Sequence, residues 1–147
     1  MAITSALTNT FKEELLGGYH SFNASGDTPA GSSFKLALFT NSATLGSTTT
    51  AYATSNEISG TGYTAAGATL TSVDPVADST TAVCDFSDVS YTSATFTANG
   101  CLIYNDSASG DPAVCAVAFG GDKTVSSGTF TIQFPNAAAT TAIVRIA

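Results

Sequence analysis

The sequence predicts an all-β fold: an antiparallel β-sandwich, jelly-roll-like, with one short N-terminal helix. Three observations predict it. Phe130, Ile132 and Phe134 alternate with Thr129, Thr131 and Gln133, and a period of two marks a strand with one buried and one wet face. Similar runs recur along the chain between Gly, Ser, Asn and Asp residues that favour turns. The composition is rich in Ser and Thr, and only 10% of residues are charged, against about a quarter in an ordinary globular protein. Such a chain suits sheets and disfavours helices.

Taken in order, residues 4–16 are the one helical candidate. Leu7, Phe11 and Leu15 recur every four residues, and Leu16 widens the stripe. Thr10 to Glu13 has the form of a capping box, with Ser5 as an earlier start, and Gly17-Gly18 stops the helix. The stripe either covers the chain's own core or docks on a neighbour as an arm. Residues 23–33 read as a loop. Phe34 to Thr40 is a strand with Phe34, Leu36 and Leu38 on one face and Phe39 on the other, so it is central or covered by a partner. Residues 41–56 are a polar loop crossing the surface. Ala68 to Val73 is a strand that Val73-Asp-Pro75 breaks.

Thr81 to Phe86 and Val89 to Tyr91 are short strands. Thr95 to Tyr104 is a longer one, in which Gly100 marks a bulge or close approach. Asn105 to Pro112 is a turn, Ala113 to Phe119 a buried strand, and Gly120 to Lys123 the next turn. Phe130 to Phe134 and Ala142 to Ile146 close the set, about eight strands in all, as sandwiches and jelly rolls use. The 147 residues suit one domain. They read as a single sandwich over 1–147 whose residues 1–18 form the helix or arm.

Charge excludes two classes of partner. The net charge is −7, and the only cations are Lys12, Lys35, Lys123 and Arg145. Phosphate backbones and anionic membrane surfaces require clustered Lys and Arg, so neither nucleic acid nor membrane is an expected partner. No run approaches the roughly 20 apolar residues of a membrane span, and the first residues lack the basic start and long apolar run of a signal peptide. Cys84, Cys101 and Cys115 sit at no metal spacing and share strand faces with Phe86, Ile103 and Val117, so they read as small buried hydrophobes in a reducing compartment.

Catalytic equipment is sparse. His20 is the only histidine; nothing marks a nucleophile partner for it, and there is no Gly-x-Ser-x-Gly elbow. It reads as a surface or structural residue. Gly60, Gly62 and Gly67 have the wrong spacing for a dinucleotide loop and suit a tight turn. Asp85 with Asp88, and Asp106 with Asp111, could supply carboxylates to a weak calcium site, but turn aspartates normally bond their own backbone. The triplets starting at Asn23 and Asn105 match a glycosylation acceptor, as chance allows in a chain rich in Asn, Ser and Thr. The residues therefore imply no enzyme, no metal and no cofactor.

Three blocks, kept in order along nearly the whole chain, carry a family resemblance. They are Ser5 to Leu16; Asn56 to Tyr63 running on to Gly67 to Leu70; and Leu102 to Asn105 with Gly121 to Thr124 and Phe130 to Pro135. The chain resembles a family of small virion structural proteins of tailed bacteriophages. The resemblance brings no catalytic residues with it. It implies a protein assembled in the host cytoplasm and carried on the capsid exterior, most simply as a decoration or cement protein binding across major capsid protein subunits. A tail, head-fibre or head–tail junction component is the alternative, and a carbohydrate-binding sandwich is a third reading. Self-association as a dimer or trimer is expected, with Leu7, Phe11, Leu15, Leu16 and Phe39 as interface candidates, because apolar residues on two faces exceed what a small sandwich buries.

Overall fold

A computed structural model of the chain describes residues 2–24 and 30–147. It is all-β with one short helix, and its strands form two antiparallel sheets. The elements are β1 (Ala6–Leu7), α1 (Asn9–Leu16), β2 (Phe34–Phe39), β3 (Ala68–Thr69), β4 (Ser72–Asp78), β5 (Thr81–Phe86), β6 (Val89–Asn105), β7 (Ala113–Ile132) and β8 (Val144–Ile146). The larger sheet has the order β1-β7-β6-β2-β3, and the smaller one β4-β5-β8. This order establishes the two-sheet arrangement and not the finer jelly-roll connectivity. The loop expected over 23–33 lies partly outside the described residues, as does the triplet that begins at Asn23.

The main core lies between the sheets. Phe34, Leu36 and Leu38 of β2 and Cys101 and Ile103 of β6 meet Cys84, Phe86 and Val144 of the smaller sheet. Phe22 stacks on Phe34 with ring centres 4.7 Å apart, and Phe86 meets the same ring edge-on at 5.5 Å. A second, smaller core covers the opposite face of the large sheet. There Ala37, Phe39, Leu102, Tyr104 and Ala116 pack with Ile3 and Ala43. Strand β2 is thus central, and the chain itself covers both of its faces. The polar run over 41–56 supplies part of that cover: Ala43 is buried, Leu45 packs on the cluster, and Tyr52 stacks on Tyr104 at 4.5 Å. Glu57 pins this loop. Its carboxylate accepts from the Tyr52 and Tyr63 hydroxyls, each at 2.6 Å, and from the Ala66 N–H at 2.8 Å.

The helix is shorter than residues 4–16. Ala6 and Leu7 pair instead with Ala116 and Cys115 of β7. Thr8 is the N-cap, in place of Thr10 or Ser5: its side chain accepts from the Phe11 N–H at 3.2 Å and donates to the Ala113 carbonyl at 2.7 Å. One fully buried threonine therefore ties the helix start to β7 and satisfies both groups. At the other end the Gly17 and Gly18 N–H groups close onto Glu13 and Leu15 carbonyls, and Gly18 takes the positive φ of 76° that ends many helices.

Three expected breaks turn out to be irregularities inside long strands. Pro75 stands within β4, where the register shifts between Val73 and Val76. Its missing N–H is tolerated because β4 is an edge strand. The gap expected after Tyr91 is a bulge at Ser93, which has a φ of 50°. The turn expected over 120–123 is a larger bulge: β6 pairs Ala98 with Lys123 and Gly100 with Ala118, so residues 119–122 swell out of the ladder. Asp122 staples this bulge by accepting from the Asn99 and Asn41 amides at 2.8 and 3.2 Å. Gly100 meets its expected role, since a Cβ there would lie 2.6 Å from the Val117 carbonyl oxygen.

Candidate functional site

The candidate site is built on Phe130, Ile132 and Phe134, the apolar residues that alternate with Thr129, Thr131 and Gln133. Phe130 and Ile132 of β7, with Phe134 just beyond, turn the same way as Val117 and Phe119 earlier on that strand. Together with Ile143 from the C-terminal segment they line an apolar groove of about 500 Å³ whose floor is Cys101. Aromatic packing holds the walls: Phe130 meets Phe96 at 5.2 Å and Phe119 at 6.2 Å, and Phe134 meets Phe86 at 5.7 Å. Phe119, Phe130 and Phe134 are only half-buried, so the inter-sheet core is open on this side. Lys123 stands exposed at the rim and makes no ion pair among the described residues.

The groove runs beside an unpaired sheet edge. Strand β7 has β6 along one side for nearly its whole length, but on the other side β1 covers only Cys115 and Ala116. From Phe119 to Ile132 no strand among the described residues lies on that outer side. Two bulges interrupt this edge, at 119–122 and at Ser127, which has a φ of 48°. The last stretch, Gly128 to Ile132, runs into the groove, which Phe130, Thr131 and Ile132 line.

The polar clusters elsewhere are structural in geometry. His20 is buried between two partners: Nε2 faces the Glu14 carboxylate at 2.9 Å, and Nδ1 faces the Asn105 amide nitrogen at 3.1 Å. The Asn105 orientation is unambiguous, because its nitrogen also donates to the Tyr19 carbonyl and its oxygen accepts from the Ser107 N–H. His20 Nδ1 must then accept, and the ring proton sits on Nε2 toward Glu14. Among the described residues no nucleophile touches the ring. Asn105 is itself wholly buried, so the triplet it begins is no glycan acceptor in the fold.

Asp85 is buried in β5. One of its oxygens accepts from the Phe86 N–H at 2.9 Å and the other has no partner among the described residues. Burial pushes its carboxyl above the ordinary range, opposed by the backbone N–H groups of Phe86 and Ile143. Asp88 caps the Phe134 N–H at 2.8 Å and Asp106 pairs with Lys35 at 3.0 Å, so neither aspartate pair forms a shared carboxylate site. Among the described residues no group of three or more His, Cys, Asp or Glu side chains is placed to hold a metal. The three thiols are free and buried, and burial pushes Cys84 and Cys115 up to about 12 and Cys101 higher still. At neutral pH they are hydrophobes, not nucleophiles.

The predicted interface residues scatter. Phe11 and Phe39 are each 1% exposed, one in the inter-sheet core and the other in the second core, so neither can present an intermolecular surface. Their large rings are what the chain needs to cover its own sheets. Leu7 and Leu15 are half-buried against the main core, and Leu15 also lines a second apolar groove with Phe22, Pro75, Ala82 and Ile146. Leu16 alone is fully presented, at 93% exposed. Sequence reasoning recognised the buried face of Phe130, Ile132 and Phe134 but not that the face stays partly open. The only local signal was the pair of aromatic residues, Phe130 and Phe134, just before Pro135. No helix among the described residues is long and apolar enough to cross a membrane. Comparison with protein families, curated proteins and solved structures finds no match to this chain.

Proposed function

We propose that this chain is a virion structural protein of a tailed bacteriophage, acting as a capsid decoration protein. In this role it binds across neighbouring major capsid protein subunits on the outer face of the shell. The sequence blocks described above support the reading, and one structural observation carries it furthest: a half-open apolar groove beside an unpaired strand edge, on a chain with few charges. A protein that binds only the intact lattice stabilises that lattice by mass action. Here apolar burial and edge hydrogen bonds supply most of the affinity, and exposed Leu16 and Tyr19 remain for contacts between copies in a dimer or trimer.

The test is to add the purified, labelled protein to particles that lack it, image them, and wash them in increasing salt. The expected image shows label over the whole shell, retained in strong salt, because screening weakens exposed ion pairs and not apolar contact. Label confined to one vertex or to the tail assigns the chain to the junction or tail instead. Binding to a glycan array without particle binding overturns the structural role altogether.

A further inference from the structure

The geometry points to strand addition at the outer edge of β7. An extended segment of another polypeptide lies along Gly128 to Ile132 and places every second side chain in the groove. This inference rests on the reading of the groove as a docking surface and names what that surface takes.

Three observations define the occupant. First, the stretch Gly128 to Ile132 pairs with β6 on one side and with no strand among the described residues on the other. Half of its backbone groups therefore face outward, and an extended backbone is the protein partner that pairs with such a row. Second, the groove lies beside that edge and is walled by Phe119, Phe130, Ile132, Phe134 and Ile143. Side chains along an added strand alternate, so the segment needs small or medium apolar residues at alternate positions. Third, Lys123 is exposed at the rim and lacks an ion pair among the described residues, on a chain of net charge −7. An acidic residue near one end of the segment complements it.

The occupant is not a second copy of this chain. Its other edges are poor donors: β3 has two residues, β8 has three, and β4 is interrupted by Pro75 and a register shift. The bulges at 119–122 and Ser127 kink the rest of the edge away from straight pairing. This is how sheet proteins limit edge-to-edge aggregation while leaving a short stretch open.

The experiment uses the full chain, labelled with nitrogen-15, and a synthetic peptide of about ten residues, long enough for one strand. The peptide alternates valine with threonine and ends in glutamate. A lysine-ended version and a version N-methylated at alternate positions are the controls. The expected result is slowed amide exchange confined to Gly128 to Ile132, loss of binding on N-methylation, and weaker binding of the lysine-ended peptide. Lys123→Glu, an exposed change that leaves the fold intact by circular dichroism, should weaken the glutamate peptide about tenfold and reverse the preference. Binding that ignores N-methylation or the terminal charge overturns the proposal, and so does protection of the same amides by self-association without peptide. The decoration reading fails separately: peptide binding as described with no label on particles sinks that role and leaves strand addition standing. Normal decoration by a protein that binds no peptide does the reverse.

Discussion

At the scale of single residues, the polar groups in this fold are placed to hold strands together. His20 shows why geometry outranks residue type. Its ring is caught between Glu14 and an Asn105 amide whose orientation the backbone dictates. Long-range nitrogen-15 NMR should therefore find the proton on Nε2, and a ring protonated on Nδ1 would contradict this account. Asp85 provides a second test. Its carboxyl titrates above the ordinary value because burial disfavours the charge. The folded state thus holds a proton that the unfolded chain, with an ordinary value of about 3.9, has already released. Stability from this group is full below that value and is lost as pH rises through the folded one. Asp85→Ala should accordingly lose stability relative to the native protein near pH 3 and recover it toward neutrality. Urea unfolding at the two pH values measures it, and a difference independent of pH would refute it.

At the scale of elements, the period-two pattern located strands well and their ends poorly. Thr81 to Phe86 matches β5 residue for residue, and Phe34 to Thr40 overruns β2 by one. The errors share a cause. Ser93, Pro75 and Gly120-Gly121 are residues that turns favour, but a bulge needs the same backbone freedom as a turn. Whether the chain reverses or continues depends on the strand already beside it. The helix start is similar. Ala6 and Leu7 continue the helical stripe in sequence, yet β7 offers them a ladder, and Thr8 then becomes the cap. Thr8→Ala should remove the cap and orphan the Ala113 carbonyl together, costing about 1–3 kcal/mol. Thermal unfolding would show it; a change of a few tenths would mean that the threonine carries neither bond in solution.

At the scale of the whole molecule, the N-terminal segment is part of the core and not a detachable arm. Phe11 is 1% exposed and packs with His20 and Phe22, while Ile3 closes the second core over Gly100. Replacing Phe11 with Ala should cost about 3–5 kcal/mol, a large fraction of the stability of a domain this size. Deleting residues 1–16 should leave a chain without a cooperative melt in circular dichroism. A truncated protein that melts at the native temperature would restore the arm reading. Leu16→Ser, by contrast, should leave the melting temperature unchanged, because the side chain is solvated already.

What the sequence determined by itself was the fold class, the burial of the cysteines, the near absence of cationic surface and the buried face of the Phe130 strand. These follow from composition and from the alternation of side chains across a strand, which are local properties. The tertiary structure alone decided three further matters: that both faces of β2 are covered from within, that β1 stops after two residues of pairing, and that the groove beside β7 stays open. Each depends on which distant segment arrives at a given surface. Residues 41–56 reach Phe39 and the helix reaches the inter-sheet core, but nothing among the described residues reaches the outer edge of Gly128 to Ile132. Alternation records that a face is apolar; it carries no record of what covers it, because cover comes from residues far away in the chain.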